Sequence, residues 1–256
     1  MQSIRIIGPG RAGTSLAAAL AAHGWDVIGF LGRHDDLVDA GRDVDILVIA
    51  TPDDAVAATA AAVAPQVGTT VLHLSGSLGL EALAPHPRRA ALHPLVPLPN
   101  ALVGAARLAS GVTFAVSGEP VACAMARSLG GRVVEVADAD RAVYHAAACI
   151  AANHVVALLG QVERVAASAG LDLEAFLPLT RAALDDVAAL GPRQALTGPA
   201  MRGDWDTLSR HLDALPARER AGYQAGAAMA TQLAQLTESA QLTESAQPAP
   251  IIPAAV

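Results

Sequence analysis

The stretch "SIRIIGPGRAGTSL", Ser3 to Leu16, decides how the first half of this chain is read. A short isoleucine-rich run meets three glycines, Gly8, Gly10 and Gly13, in the order G-x-G-x-x-G. The run suits a strand, and the alanine-rich segment from Thr14 to His23 suits a helix. Each glycine then has a purpose. Gly8 permits the tight turn, Gly10 lets a pyrophosphate approach the backbone, and Gly13 allows close helix–strand packing. Pro9, Arg11 and Ala12 complete the loop. The helix start behind them offers free amides and a positive dipole end to phosphates. In this context the motif predicts dinucleotide binding.

The same rhythm continues outward. "DVIGFLG", "DILVIA", "TTVLHLSG", "AALHP", "VTFAVSG" and "RVVEVAD" read as further strands. Helices are expected at Asp53 to Ala64, capped near Thr51 and Pro52, and at Glu119 to Leu129. Strands alternating with helices predict a parallel sheet covered on both faces. After about Ala137 the pattern becomes helical throughout. One long helix is expected to end near Gly170, a second near Gly191 with a kink at Pro178, a shorter one after Asp204, and a last one after Pro216. The fold class is α/β: an N-terminal Rossmann-type parallel sheet with an all-helical C-terminal domain. The expected segments are a dinucleotide-binding domain at 1–136, a helical substrate and dimerisation domain at 137–236, and a low-complexity tail at 237–256, where "QLTESA" recurs at Gln235 and Gln241.

Composition narrows the function. A formal charge of -7 does not favour a nucleic-acid or membrane surface. The alanine runs are broken by polar residues and proline before reaching membrane-spanning length. All 17 basic residues are arginine, so a lysine acid is unavailable. Cys123 and Cys149 belong to no C-x-x-C pair and read as free thiols; no metal site is expected. A cytoplasmic protein is expected, since "MQSIRIIGPG" enters a strand without a leader pattern.

The end of the second strand bears on the choice of dinucleotide. It reads "FLGRHDD", with Arg33 in the turn and the acids slightly later. Arg33 could pair with a 2'-phosphate, which favours NADPH. Ribose binding by Asp35 or Asp36 is the competing case. Thr51 and Pro52 are placed beside the nicotinamide-side ribose, at the carboxyl end of the third strand. Ser75, Gly76 and Ser77 follow the fourth strand on the same edge, although either serine could cap a helix instead. His93, after another short strand, either lines this crevice or bonds to backbone.

The motifs "GPGRAG", "TPDD", "HLSGSLG", "LHPL", "YHAAACIAANH" and "ALTGPAMRGD" together resemble the family of Rossmann-like proteins with a DUF2520 C-terminal domain. The resemblance spans nearly the whole chain apart from the tail. It implies similarity to F420-dependent NADP oxidoreductases, pyrroline-carboxylate reductases and 6-phosphogluconate dehydrogenases, and to alternative ketopantoate reductases. It also implies a reductase, without settling the substrate, and a homodimer as the working form; NADP as cofactor and a small anionic carbonyl substrate are expected from the arginines.

Reduction of a ketone needs a hydride donor, a proton donor and a partner for the substrate's charge. On "YHAAACIAANH", His145 and Asn153 are eight residues apart, two turns and about 80° around a regular helix. Related enzymes often place lysine and asparagine there. With no lysine, His145 is the candidate proton donor and Asn153 would orient the carbonyl. Arg202 is a candidate bidentate clamp for a carboxylate. Asp204 either caps the next helix or holds Arg202, and Thr197 and His211 could complete the pocket. The leading expectation is reduction of a small 2-keto acid such as ketopantoate. Imine reduction, F420-linked chemistry and non-catalytic dinucleotide sensing are the alternatives.

Overall fold

A computed structural model describes residues 2–245, with side chains described to Leu236. The chain divides into two compact units, which meet in sequence at Asn153 and His154.

The first unit is built on one seven-stranded sheet. Its strands are β1 (Ser3–Ile7), β2 (Asp26–Leu31), β3 (Ile46–Ile49), β4 (Thr70–His73), β5 (Arg89–Pro94), β6 (Thr113–Gly118) and β7 (Arg132–Glu135). Their order is β2-β1-β3-β4-β5-β6-β7. The first five are parallel, whereas β6 runs antiparallel to β5, and β7 is parallel to β6. The wholly parallel sheet expected from sequence is thus corrected to a mixed one. An apolar run gives a strand but not its direction.

Helices α1 (Arg11–Ala22), α2 (Asp53–Ala62), α3 (Ala101–Leu108) and α4 (Val121–Ser128) cover the sheet. Successive residues of β3 divide between the two faces. Ile46 and Val48 join the core containing Leu16 and Leu20 of α1, Leu108 of α3 and Met125 of α4. Leu47 and Ile49 join the core containing Val56 and Ala60 of α2. Such two-sided burial explains why the strand reads "ILVI" without a polar alternation. Helix α3 escaped the sequence reading, and α1 begins at Arg11, three residues before its expected start. The N-cap of α2 is Pro52, within the expected Thr51–Pro52 pair, and no side chain there makes a capping hydrogen bond.

Few aromatic residues means close backbone packing. A Cβ at Gly104 would collide with Ser15, and one at Gly131 with the Phe114 ring. Phe114 itself is fully buried on β6.

The first unit ends with a 3-10 turn (Asp138–Asp140), α5 (Arg141–Cys149) and the start of a π turn (Ile150–His154). The second unit contains α6 (Val155–Ser168), α7 (Leu177–Leu190), α8 (Pro192–Ala195), α9 (Trp205–Ala214) and α10 (Ala217–Ser245). Pro178 sits in the first turn of α7 rather than kinking it. Its missing N–H costs nothing there, because first-turn amides have no intrahelical partner. Glu219, only 3% exposed, receives Nε and Nη2 of Arg164 at 2.7 and 3.0 Å and ties α10 to α6. The expected tail from Thr237 continues α10 as far as Ser245; the rest of it, 246–256, lies outside the described residues.

The stretch Asp138–Ser168 is long and apolar enough, by length and composition, to cross a membrane, which corrects the expectation that every apolar run falls short. Its polar members Tyr144, His145 and Asn153 line a cavity, as described below.

Truncating Phe114 to alanine removes a fully buried ring from a tightly packed site. The expected loss is about 3–5 kcal/mol of unfolding free energy, measured by urea denaturation.

Candidate active site

The chain reverses direction across the sheet between β1 and β3, and both strands end at the same edge. Crevices at such switch points are where open α/β sheets bind ligands. Gly8 follows β1 with φ +103°, a conformation that L side chains rarely adopt. A Cβ there would lie 2.7 Å from the Ala50 carbonyl oxygen. Gly13 has no room either, because its Cβ would strike the Gly8 carbonyl oxygen. Gly10 differs: nothing lies within 4 Å of its Cβ position, and it precedes α1 in an extended conformation. The three glycines therefore do separate jobs, two in folding the loop and one in leaving its backbone open. Pro9, Arg11 and Ala12 lie between them, at the N-terminus of α1, with Arg11 exposed.

Beside this loop, Thr51 Oγ1 is buried and has no hydrogen-bond partner among the described residues. Such a group calls for an external donor or acceptor. The open Gly10 backbone, the first-turn amides of α1 and the orphaned Thr51 hydroxyl fit the phosphates and sugar of a dinucleotide.

The turn after β2 commits its acids. Asp35 Oδ2 accepts from Gly32 N at 2.6 Å, and Asp36 Oδ1 from Val38 N at 3.0 Å. Arg33 is exposed and makes no hydrogen bond or ion pair among the described residues.

The serines after β4 are also engaged. Ser75 Oγ and Ser77 Oγ donate to Asp53 Oδ2 at 2.7 and 2.8 Å, and Ser75 Oγ accepts from the amides of Ser77 and Leu78. They brace the first residue of α2 against the loop; neither caps a helix.

A cavity of about 700 Å³ brings His93, Tyr144, His145, Cys149 and Asn153 together, walled by residues such as Pro94, Val96 and Ala148. His93 comes from the end of β5; the others lie on α5 and the π turn. His93 Nδ1 and the Tyr144 hydroxyl are 2.7 Å apart. The His93 and His145 rings meet edge to face, 5.9 Å between centroids. Gly76 passes beside both: a Cβ would come 2.7 Å from His145 Cδ2 and 2.9 Å from His93 Nε2. Cys149 Sγ is 3.9 Å from His145 Nε2. Asn153 is exposed at the cavity wall. It belongs to the π turn, which widens the helix, so the 80° angle of a regular helix does not describe its relation to His145.

Below the cavity lies Arg141, wholly buried, which the sequence reading missed. Nη1 donates to the Ser75 carbonyl at 3.3 Å and Nη2 to Ser117 Oγ at 2.9 Å. Nε is 3.7 Å from Asp138 Oδ1, and Asp138 Oδ2 accepts from Leu80 N at 2.9 Å. This network fixes the start of α5 to the ends of β4 and β6. The helix itself was expected from the pattern after Ala137, but a single arginine at its head carries no local signal of this role.

Burial dominates the electrostatics. It lowers the His93 pKa to about 4, helped by the positive charges that His145 and Arg141 can carry. His73, fully buried beside it, is also lowered to about 4, by burial and then by Arg141. Burial raises the Tyr144 phenol and lowers Arg141.

In the second unit, Arg202 is exposed, and its side chain makes no hydrogen bond or ion pair among the described residues, although its charge is felt by Asp204. Asp204 caps α9, accepting from Thr207 N at 3.1 Å, and these hydrogen bonds lower its pKa. It forms no ion pair with Arg202. His211 Nδ1 is 2.6 Å from the Tyr223 hydroxyl, at an apolar cavity of this unit's own.

The two lowered histidines set a pH dependence. The unfolded chain protonates them below their ordinary pKa of 6.5, whereas the folded chain holds them neutral down to about pH 4. Their contribution to stability is complete above pH 6.5, declines as the pH falls through that window, and levels off below about 4. Urea unfolding at pH 7, 5.5 and 4 is expected to show a smaller decline in His93→Asn than in the parent.

Residues 110–232 match the family described as a domain of unknown function, DUF2520. No curated protein matches the sequence. Among solved structures, the chain is similar to BF3122 of Bacteroides fragilis, a proposed NADP oxidoreductase, at 19% identity and TM-score 0.73, over 90% of this chain and 98% of that one. It is similar to TM1727 of Thermotoga maritima at 19% identity and TM-score 0.70, over 92% and 99%. It is also similar to a reductive aminase of Aspergillus terreus, solved with NADPH and ethyl levulinate, at 16% identity and TM-score 0.59, over 95% and 94%. The chain is thus related to DUF2520 proteins over 110–232 and shares its fold, along nine-tenths of its length or more, with these three proteins.

Proposed function

We propose that this chain is an NADPH-dependent reductase of small carbonyl or imine compounds, working in the cytoplasm. The observation that carries this reading is the glycine loop at the sheet's switch point, with an open backbone at Gly10 and a buried, unpartnered Thr51 hydroxyl. The solved Aspergillus terreus structure with NADPH, and the NADP oxidoreductase assignment of BF3122, support the cofactor. Bound NADPH would supply hydride. The residues of the first unit would hold its phosphates at Gly8 to Gly13, its 2'-phosphate at Arg33 and its inner ribose at Thr51 and Pro52, and would place a substrate against His93, His145 and Asn153. Gly76 keeps the space between the imidazoles open.

Arg33 carries the preference for NADPH, because Asp35 and Asp36 are occupied by backbone amides. Arg33→Ala is expected to weaken NADPH binding about 10- to 100-fold, the size of a lost charge-assisted contact, and to leave NADH binding unchanged. Fluorescence titration with both nucleotides measures this; equal effects on the two would remove the assignment.

For the substrate, the leading reading is a 2-keto acid, ketopantoate being reduced to pantoate. Pantoate formation from ketopantoate and NADPH is the direct test. A second reading, imine reduction, is favoured by one observation: among the described residues, no arginine lines the cavity of the first unit. Turnover of a neutral cyclic imine without pantoate formation would select it, and tight NADPH binding with no turnover of either class would select a nucleotide sensor.

The working form we propose is a homodimer. Val156, Leu179, Leu184 and Met229 of the helical unit are 70, 70, 54 and 62% exposed, more apolar surface than a solitary helical unit usually leaves in water.

A further inference from the structure

The cavity of the first unit offers five groups that bear a transferable or bonding hydrogen: His93, Tyr144, His145, Cys149 and Asn153. Their surroundings separate them. An amide does not give up its proton. His93 is neutral near pH 7, because burial opposes the imidazolium that would serve as an acid, and a neutral imidazole gives up its remaining proton only by becoming imidazolate. Cys149 rests against His145 at 3.9 Å. Tyr144 stands apart: it keeps its proton at neutral pH, and it has an orienting partner at 2.7 Å. That partner is itself fixed on β5, edge to face with the phenol ring at 87°. A proton carrier held by a second group that is in turn held by the fold is the arrangement that acid–base catalysis requires.

Resting on the reductase reading above, we infer that Tyr144 is the proton donor of the reduction and that His93 is its positioning residue, with His93 Nδ1–H donating to the phenol oxygen so that the phenol hydrogen faces the cavity. The balance is simple. Bound NADPH would supply a hydride to the substrate carbon, and the electron pair of the C=O or C=N bond would pass to the heteroatom. That atom takes the proton from the Tyr144 hydroxyl. The phenolate left behind accepts from His93 Nδ1–H, lies in the field of buried Arg141, and recovers a proton from water. The opposite tautomer, with its proton on Nε2, would turn the phenol hydrogen toward the imidazole and away from the substrate.

Two measurements test this on the full-length protein. Nitrogen-15 spectra of the histidine side chains distinguish the two neutral tautomers, the His93 signal being the one lost in His93→Asn. The proposal expects Nδ1–H in the parent; Nε2–H overturns it whatever the activity. The second is kinetic, with ketopantoate and a cyclic imine as probes. Tyr144→Phe should lower kcat about 10²–10³-fold, with KM and the fluorescence Kd for NADPH within threefold. His93→Ala should lower kcat at least 10-fold, and His93→Asn, whose amide keeps an N–H near the Nδ1 position, should recover most of that loss. A Tyr144→Phe protein that keeps a third of kcat overturns the donor role while leaving the reductase reading intact. A parent protein that binds NADPH and reduces neither probe overturns both.

Discussion

The buried guanidinium of Arg141 is the constraint on which the first unit's functional edge depends. A charge removed from water must be hydrogen-bonded where it sits. Arg141 meets that demand in part, through hydrogen bonds to the Ser75 carbonyl after β4 and the Ser117 hydroxyl on β6; its Nε has no hydrogen-bond partner among the described residues and faces Asp138, ahead of α5, as an ion pair at 3.7 Å. Asp138 in turn holds the Leu80 amide. Satisfying one cation therefore fixes where α5 starts, and so where Tyr144 and His145 stand relative to His93. Burial is the main reason that His73 and His93 stay neutral; the same positive charge adds to that effect and opposes the rise that burial causes at Tyr144. One residue outside the cavity thus fixes its geometry and contributes to its electrostatics.

The glycine loop at the end of β1 was the more legible part of this protein. Gly8 and Gly13 are fixed by backbone conformation and contact distance, so their spacing in sequence carries the three-dimensional reason for them. The β3 run "ILVI" likewise advertised burial on both faces. Strand direction was invisible, because an apolar run is the same in either sense, and β6 turned out antiparallel. Helix α3 was hidden inside a proline-flanked segment. Pro178 read as a kink within a longer helix, whereas it stands in the first turn of α7, behind the separate turn at Leu173–Ala175.

The cavity was half legible. His93, His145 and Asn153 stood out as polar residues in apolar surroundings, and the fold does bring them to one cavity. Tyr144 and Arg141 did not stand out, since the role of each is created by partners more than 20 residues distant in sequence. Asp204 had two readings, and its bond to the Thr207 amide identifies it as a helix cap. Long-range pairing of this kind has no signature in local pattern.

The arginine-only composition has a chemical corollary for the cavity. Carbonyl compounds condense readily with primary amines to form Schiff bases. Arginine does not do so under ordinary conditions, and no lysine exists anywhere in this chain. The groups facing the cavity are imidazole, phenol, thiol and amide. An aldehyde or ketone can therefore dwell there without being captured as an imine by the walls, and leave as freely as it came.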